Sequence, residues 1–113
     1  MVVKIGEKLH IITRRKFDQD LRRHFVGIVL ALEGSIVRME GYTFVFDAHK
    51  DVYIKRPEKR IRIFDLSDSG HIVNVIPKEA ELEKVTYKIS ELRLFVTDGK
   101  SFSLEINEFG PKR

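Results

Sequence analysis

The chain has 113 residues, 42% of them apolar and 34% charged, with a net charge of +4 and no cysteine. That length supplies one hydrophobic core and excludes two. Without cysteine there are no disulfides, no thiolate nucleophile and no thiolate metal site.

The charge is unevenly spread. Residues 1–30 and 48–62 each carry a net +4, while residues 63–83 carry −4. Clustered cations of this kind can attract phosphate. The opening stretch "MVVKIGEKLHIITRR" has no continuous apolar segment, so no signal peptide is expected. The longest apolar run, about Phe25 to Leu32, is far short of a membrane span. A cytoplasmic protein without membrane contact is the expectation.

In chain order, "LHIIT" reads as a strand. "FDQDLRRHF" places apolar residues at 17, 21 and 25 behind Asp18, a pattern that suits one or two helical turns. "HFVGIVLALEG" is apolar on both sides, as a central strand should be, and Gly27 inside it marks a bend or a close backbone approach. "SIVRMEGYTFVFD" follows the Glu33-Gly34-Ser35 turn, with a bulge expected at Gly41. "RIRIFD" (60–65) and "HIVNVI" (71–76) flank the turn-rich "LSDSG" and read as a hairpin. That pairing sets Ile61 and Ile63 against Val75 and Val73, and puts Arg60, Arg62 and Phe64 beside Asn74 on the other face. "PKEAELEK" is a short helix or a loop.

Three alternating segments close the chain. Val85, Tyr87 and Ile89, then Leu92, Leu94 and Val96, then Phe102, Leu104 and Ile106 predict a meander with one apolar face. A two-residue turn at Ser90-Glu91 would pair Ile89 with Leu92. A three-residue loop around Asp98-Gly99 would pair Leu94 with Leu104 or shift that pairing along the strand, and both versions keep the apolar parity.

The basic stretch "YIKRPEKRIRIF" (53–64) raises the functional question. Lys55, Arg56 and Lys59 flank Pro57 in what reads as a solvated loop. Arg60 and Arg62 share a strand face with Phe64 and Asn74, and cations beside an aromatic and an amide are parts used to bind single-stranded nucleic acid. The bland alternative is that these cations only cover a wet sheet face. A second basic group, Arg14, Arg15, Lys16, Arg22, Arg23 and His24, would extend a phosphate-tracking surface if folding brings the two together. Asp47, His49 and Asp51 alternate, so on a strand they would face a metal together; a polar turn explains them as well. Asp65 and His71 form a potential carboxylate–imidazole pair, with no nucleophile motif to serve. No cofactor is expected. The apolar strands read as core in preference to a ligand-lined interior.

"FVGIVLALEG" resembles the bent, glycine-bearing strand of the Sm-like barrels, and "SGHIVNVIP" resembles a later strand of that family. The resemblance is partial and covers residues of about 8 to 77. It implies a small, strongly bent Sm/SH3-like barrel, ring-forming oligomers and RNA binding. The family's Asp-x-x-x-Asn signature reads Glu33-Gly34-Ser35-Ile36-Val37 here, and its Arg-Gly reads Ser69-Gly70. No RNA-contacting position therefore carries over.

The expected fold is a mainly β, single-domain (1–113) antiparallel barrel or sandwich, with a C-terminal three-stranded meander and one or two short helical segments. The expected function is a non-enzymatic module that binds nucleic acid. The alternative is a structural protein–protein module that self-associates or binds another protein through exposed sheet edges.

Overall fold

In the computed structural model, which describes residues 2–15, 17, 22–68 and 70–106, three strands form the frame. They are β1 (Lys8–Thr13), β2 (Arg23–Glu33) and β3 (Ile36–Asp47), joined antiparallel in sequence order. β2 and β3 are long, and Gly27 lies opposite Gly41. A Cβ on Gly27 would stand 2.6 Å from the Glu40 carbonyl oxygen, and one on Gly41 would collide with the Val26 carbonyl. The backbones meet there because neither residue carries a side chain. The expected close approach at Gly27 is present. The bulge lies not at Gly41 but in β2, between Val29 and Ala31. On its other edge β2 bonds the chain before β1, through Val29 N–H to Glu7 O and Gly6 N–H to Val29 O, both 2.8 Å.

β4 (Val52–Lys55) pairs with the C-terminal half of β3, and β5 (Arg60–Asp65) pairs with its N-terminal half. β6 (His71–Ile76) pairs with β1 at the opposite edge. The expected β5–β6 hairpin is therefore absent. β5 and β6 thus lie on opposite edges of the sheet, and each completes a backbone ladder that would otherwise be bare. Because β5 and β6 do not pair with each other, the sheet does not close into a barrel.

The meander is present as β7 (Thr86–Ser90), β8 (Arg93–Thr97) and β9 (Ser103–Glu105), a separate antiparallel sheet. Its turns differ from expectation. Ile89 faces Leu94, not Leu92, because the turn is Glu91-Leu92, both at positive φ. Such a turn matches the twist of a hairpin. The β8–β9 connection is longer than three residues, and Val96 faces Leu104. The buried Asp98 carboxylate organises that loop by accepting the N–H groups of Lys100 (2.9 Å), Ser101 (2.7 Å), Phe102 (3.2 Å) and, from outside, Glu81 (3.0 Å). Burial works against its charge, but these four donors outweigh it and hold the carboxyl well below the usual carboxylate range. Apolar parity survives both changes, so the meander keeps one inward face.

Helical content is slight. "PKEAELEK" supplies one 3-10 turn at Leu82–Lys84. Of the expected helix at 17–25, residues 23–25 belong to β2, and residues 18–21 lie outside the described set.

Burial separates two cores on opposite sides of the frame. Leu9, Ile11, Phe25, Val29, Val37 and Met39 fill one side of the sheet. Val26, Phe44 and Ile76 point the other way and pack against Val85 and Val96 of the meander region. The apolar strands are thus core on both faces, as expected.

Candidate functional site

Two places in this fold gather polar groups against aromatic rings. The first is the end of the side filled by Leu9 and Phe25, where β1, β2, β3, β5 and β6 converge. The register places Phe64 opposite Val37 and Arg62 opposite Met39, so both side chains turn inward. Across the sheet, Phe25 lies opposite Thr43. The result is a cleft of about 210 Å³ lined by Thr13, Arg23, His24, Phe25, Thr43, Arg62, Phe64 and His71. Phe64 packs on Phe25 (5.3 Å between centroids) and on the edge of His71 (5.6 Å).

The electrostatics of the cleft are one-sided. Among the described residues its lining holds two arginines, two histidines and two threonines, and no carboxylate. Two of its polar atoms, Thr43 Oγ1 and Arg62 Nε, are buried without a hydrogen-bond partner. Buried polar groups in folded proteins are paired, so each such atom needs an explanation. An acceptor supplied by a ligand would satisfy both.

The second place lies between the sheets. His10 (β1), His24 (β2) and Tyr87 (β7) meet there, with His10 and His24 almost fully buried. Asn74 Nδ2 lies 3.3 Å from His10 Nδ1 and donates to it, which leaves the His10 proton on Nε2. That Nε2–H donates to the Tyr87 hydroxyl at 2.8 Å, and the hydroxyl donates to His24 Nδ1 at 2.6 Å. The chain of donors runs one way, and none of its atoms is among the buried polar atoms without a partner. Tyr53 stacks on both His24 and Tyr87, at 4.5 and 4.8 Å. Burial pushes His10 down to about 4; burial, then the neighbouring His10, pushes His24 down to about 3. Burial, then Tyr53, raises the Tyr87 hydroxyl well above 10. Both imidazoles are therefore neutral at physiological pH, and the cluster pins the meander to the frame.

The residues singled out in the sequence divide among these places. Arg62 and Phe64 line the cleft, and so does Arg23 from the second basic group. Folding thus brings Arg62 of the first basic group and Arg23 of the second to one cleft. Arg60 stays exposed, with Glu58 3.8 Å away in a surface pair that contributes little. Asn74 does not join Arg60, Arg62 and Phe64: it faces the other side of the sheet, against His10, because β6 pairs with β1. Lys55 is not a loop residue. It lies in β4, donates to the Glu83 carbonyl and sits 4.1 Å over the Tyr42 ring. Arg56 is exposed, and Lys59 lies 6.0 Å from the same ring. Of the second basic group, Lys16 lies outside the described residues.

Asp47, His49 and Asp51 do not share a strand face. β3 ends at Asp47, whose Oδ1 accepts the His49 and Lys50 N–H groups in a local turn. Among the described residues, no group of three metal-ligating side chains forms. Asp65 and His71 meet only through the Asp65 backbone carbonyl, 3.2 Å from His71 Nδ1. The Asp65 carboxylate instead accepts from Ser67 and Ser35, and those bonds lower its pKa.

Sequence reasoning missed Thr43 and the pairing of His10 with His24. A threonine in a strand is ordinary. The available signal was the histidines, each a lone polar residue in an apolar strand that needs a buried partner. Compared with protein-family models, curated proteins and solved structures, the chain matches none. No helix among the described residues is long and apolar enough to cross a membrane.

Proposed function

We propose that the protein is a non-enzymatic binding module for single-stranded nucleic acid, with the basic cleft as its contact site. One observation carries the reading: Arg62 Nε and Thr43 Oγ1 are buried without partners in a cleft that also presents Arg23, His71 and Phe64. Arginines bind phosphate as a donor fork, and an aromatic wall beside them accepts a stacked base. Arg60, two residues before Arg62 on the same strand, adds an exposed cation beside the cleft. This reading takes the chain as one cytoplasmic β domain. The Sm-like resemblance of residues 8–77 belongs to the proposal through the close approach at Gly27 alone and adds no contact residue.

Fluorescence anisotropy with labelled single-stranded RNA and DNA, from about 50 to 200 mM salt, tests it. Affinity that falls steeply with salt, and falls further in the double variant Arg60→Ala, Arg62→Ala while the fold survives, is the expected result. No binding at the lowest salt overturns the reading.

The alternative is self-association, and a specific observation favours it. Among the described residues, β5 pairs only with β3 and β6 only with β1, and Ile61, Ile63 and Val75 on these edge strands are all more than half exposed. Apolar edges of this kind recruit further strands. A solution mass that rises with concentration, and falls to the monomer in Ile63→Lys, would move the assignment to this reading.

A further inference from the structure

We infer that the cleft seats a terminal phosphate monoester, the end group of a strand or of a free nucleotide, and not a phosphate within a strand. The inference rests on the binding reading above and narrows it. Three features of the cleft support it.

The first is shape. Phe25, His24 and Thr43 are each at least 94% buried, so the cleft has a closed floor, while Arg23 stands exposed at its rim. A phosphodiester inside a strand continues in two directions and needs two exits. A cleft of about 210 Å³ with a buried floor and an open mouth accommodates a strand end entering from that mouth.

The second is donor supply. Arg62 Nε–H and the Thr43 hydroxyl lie buried and unused. The Arg23 guanidinium adds further donors, and among the described residues no carboxylate lines the cleft to compete for them. A group made of acceptor oxygens uses all of these, whereas an amide or a hydroxyl uses only part.

The third is charge. A monoester carries close to two negative charges at neutral pH and keeps three free oxygens, against one charge and two free oxygens for a diester. Two arginines favour the former. The Phe64 ring, part of the same lining, then lies where the first base or sugar would emerge.

The test uses the full chain and one short single-stranded sequence in three forms: 5′-phosphorylated, 3′-phosphorylated and with both ends free hydroxyls. Wild type, Thr43→Val and Arg62→Lys are titrated with each, and adenosine monophosphate serves as a competitor. An end-phosphorylated strand should bind about tenfold tighter than the hydroxyl strand, the worth of one hydrogen bond to a charged group. Thr43→Val and Arg62→Lys should bring that ratio toward one, lowering the affinity of the phosphorylated strands more than that of the hydroxyl strand. The better of the two phosphorylated ends identifies which terminus enters. Binding of the mononucleotide without any strand binding would support the cleft assignment and overturn the strand-binding reading. Equal binding of all three strand forms would overturn the inference and leave the strand-binding reading standing. Failure of every strand and of the nucleotide at 50 mM salt would overturn both. Should Thr43→Val fail to fold, the three-strand comparison on wild type decides alone.

Discussion

The pin between the sheets and the cleft at the sheet's end are built from similar parts. Both set imidazoles against aromatic rings, and both bury polar atoms deeply. They differ in hydrogen-bond completeness. In the pin, Asn74, His10, Tyr87 and His24 form a single donor chain with no member of it left over. In the cleft, Thr43 Oγ1 and Arg62 Nε are left over. A satisfied buried network specifies and rigidifies a packing arrangement, whereas an unsatisfied group costs stability unless something else completes it. The pin therefore reads as structure and the cleft as a site. The same difference separates charge states. The pin's histidines are held neutral by burial, while the cleft keeps the charged Arg23 exposed at its rim.

Acid should break the pin most severely. In the unfolded chain both histidines take up protons near pH 6.5, whereas in the fold they resist until about 4 and about 3. The folded state binds fewer protons in that window, so stability is full above pH 6.5 and falls as pH drops toward 4. Each histidine costs about 1.4 kcal/mol per pH unit there. A protonated His24 also points a donor at the Tyr87 hydroxyl that had been donating to it. Urea unfolding from pH 8 to pH 4 should show the loss, and His10→Gln with His24→Gln should flatten it.

A smaller effect is expected from Tyr87→Phe. It removes one oxygen and leaves two imidazole nitrogens buried and unpaired, for a loss of about 2–4 kcal/mol by denaturant unfolding. Asn74→Ala removes only the outermost donor of the chain. It should cost about 1 kcal/mol and leave nucleic-acid affinity unchanged, whereas Arg62→Ala should lower affinity. That contrast separates two residues that strand alternation in the sequence had placed side by side.

The parts of the fold legible in the sequence are those where alternation has a single solution. The meander was readable because Val85, Tyr87 and Ile89 must face the same way as Leu94 and Val96. A turn displaced from Ser90-Glu91 to Glu91-Leu92 leaves that parity intact. The partners of β5 and β6 were not readable. "RIRIFD" and "HIVNVI" alternate well enough to pair with each other or with the edges of β3 and β1. The choice depends on which backbone edges the long strands leave bare, a property of the assembled sheet. β4 was hidden inside the basic stretch, where Lys55 looked like loop charge. Of the cleft, the arginines and Phe64 stood out as residue types. Thr43 did not, because its importance lies in a missing hydrogen bond that exists only after folding.

The smallest expected effect is the most telling. Thr43→Val keeps the side chain's shape and deletes a hydroxyl that has no partner, so the ligand-free protein should lose nothing and can gain up to about 1 kcal/mol. The most direct measurement is urea unfolding of wild type, Tyr87→Phe and Thr43→Val side by side in phosphate-free buffer. If the cleft is a site and the pin is structure, Tyr87→Phe loses about 2–4 kcal/mol and Thr43→Val stays level with wild type or rises above it. A loss in Thr43→Val as large as that in Tyr87→Phe would mean that the cleft hydroxyl already serves the fold, and would contradict its assignment to a ligand.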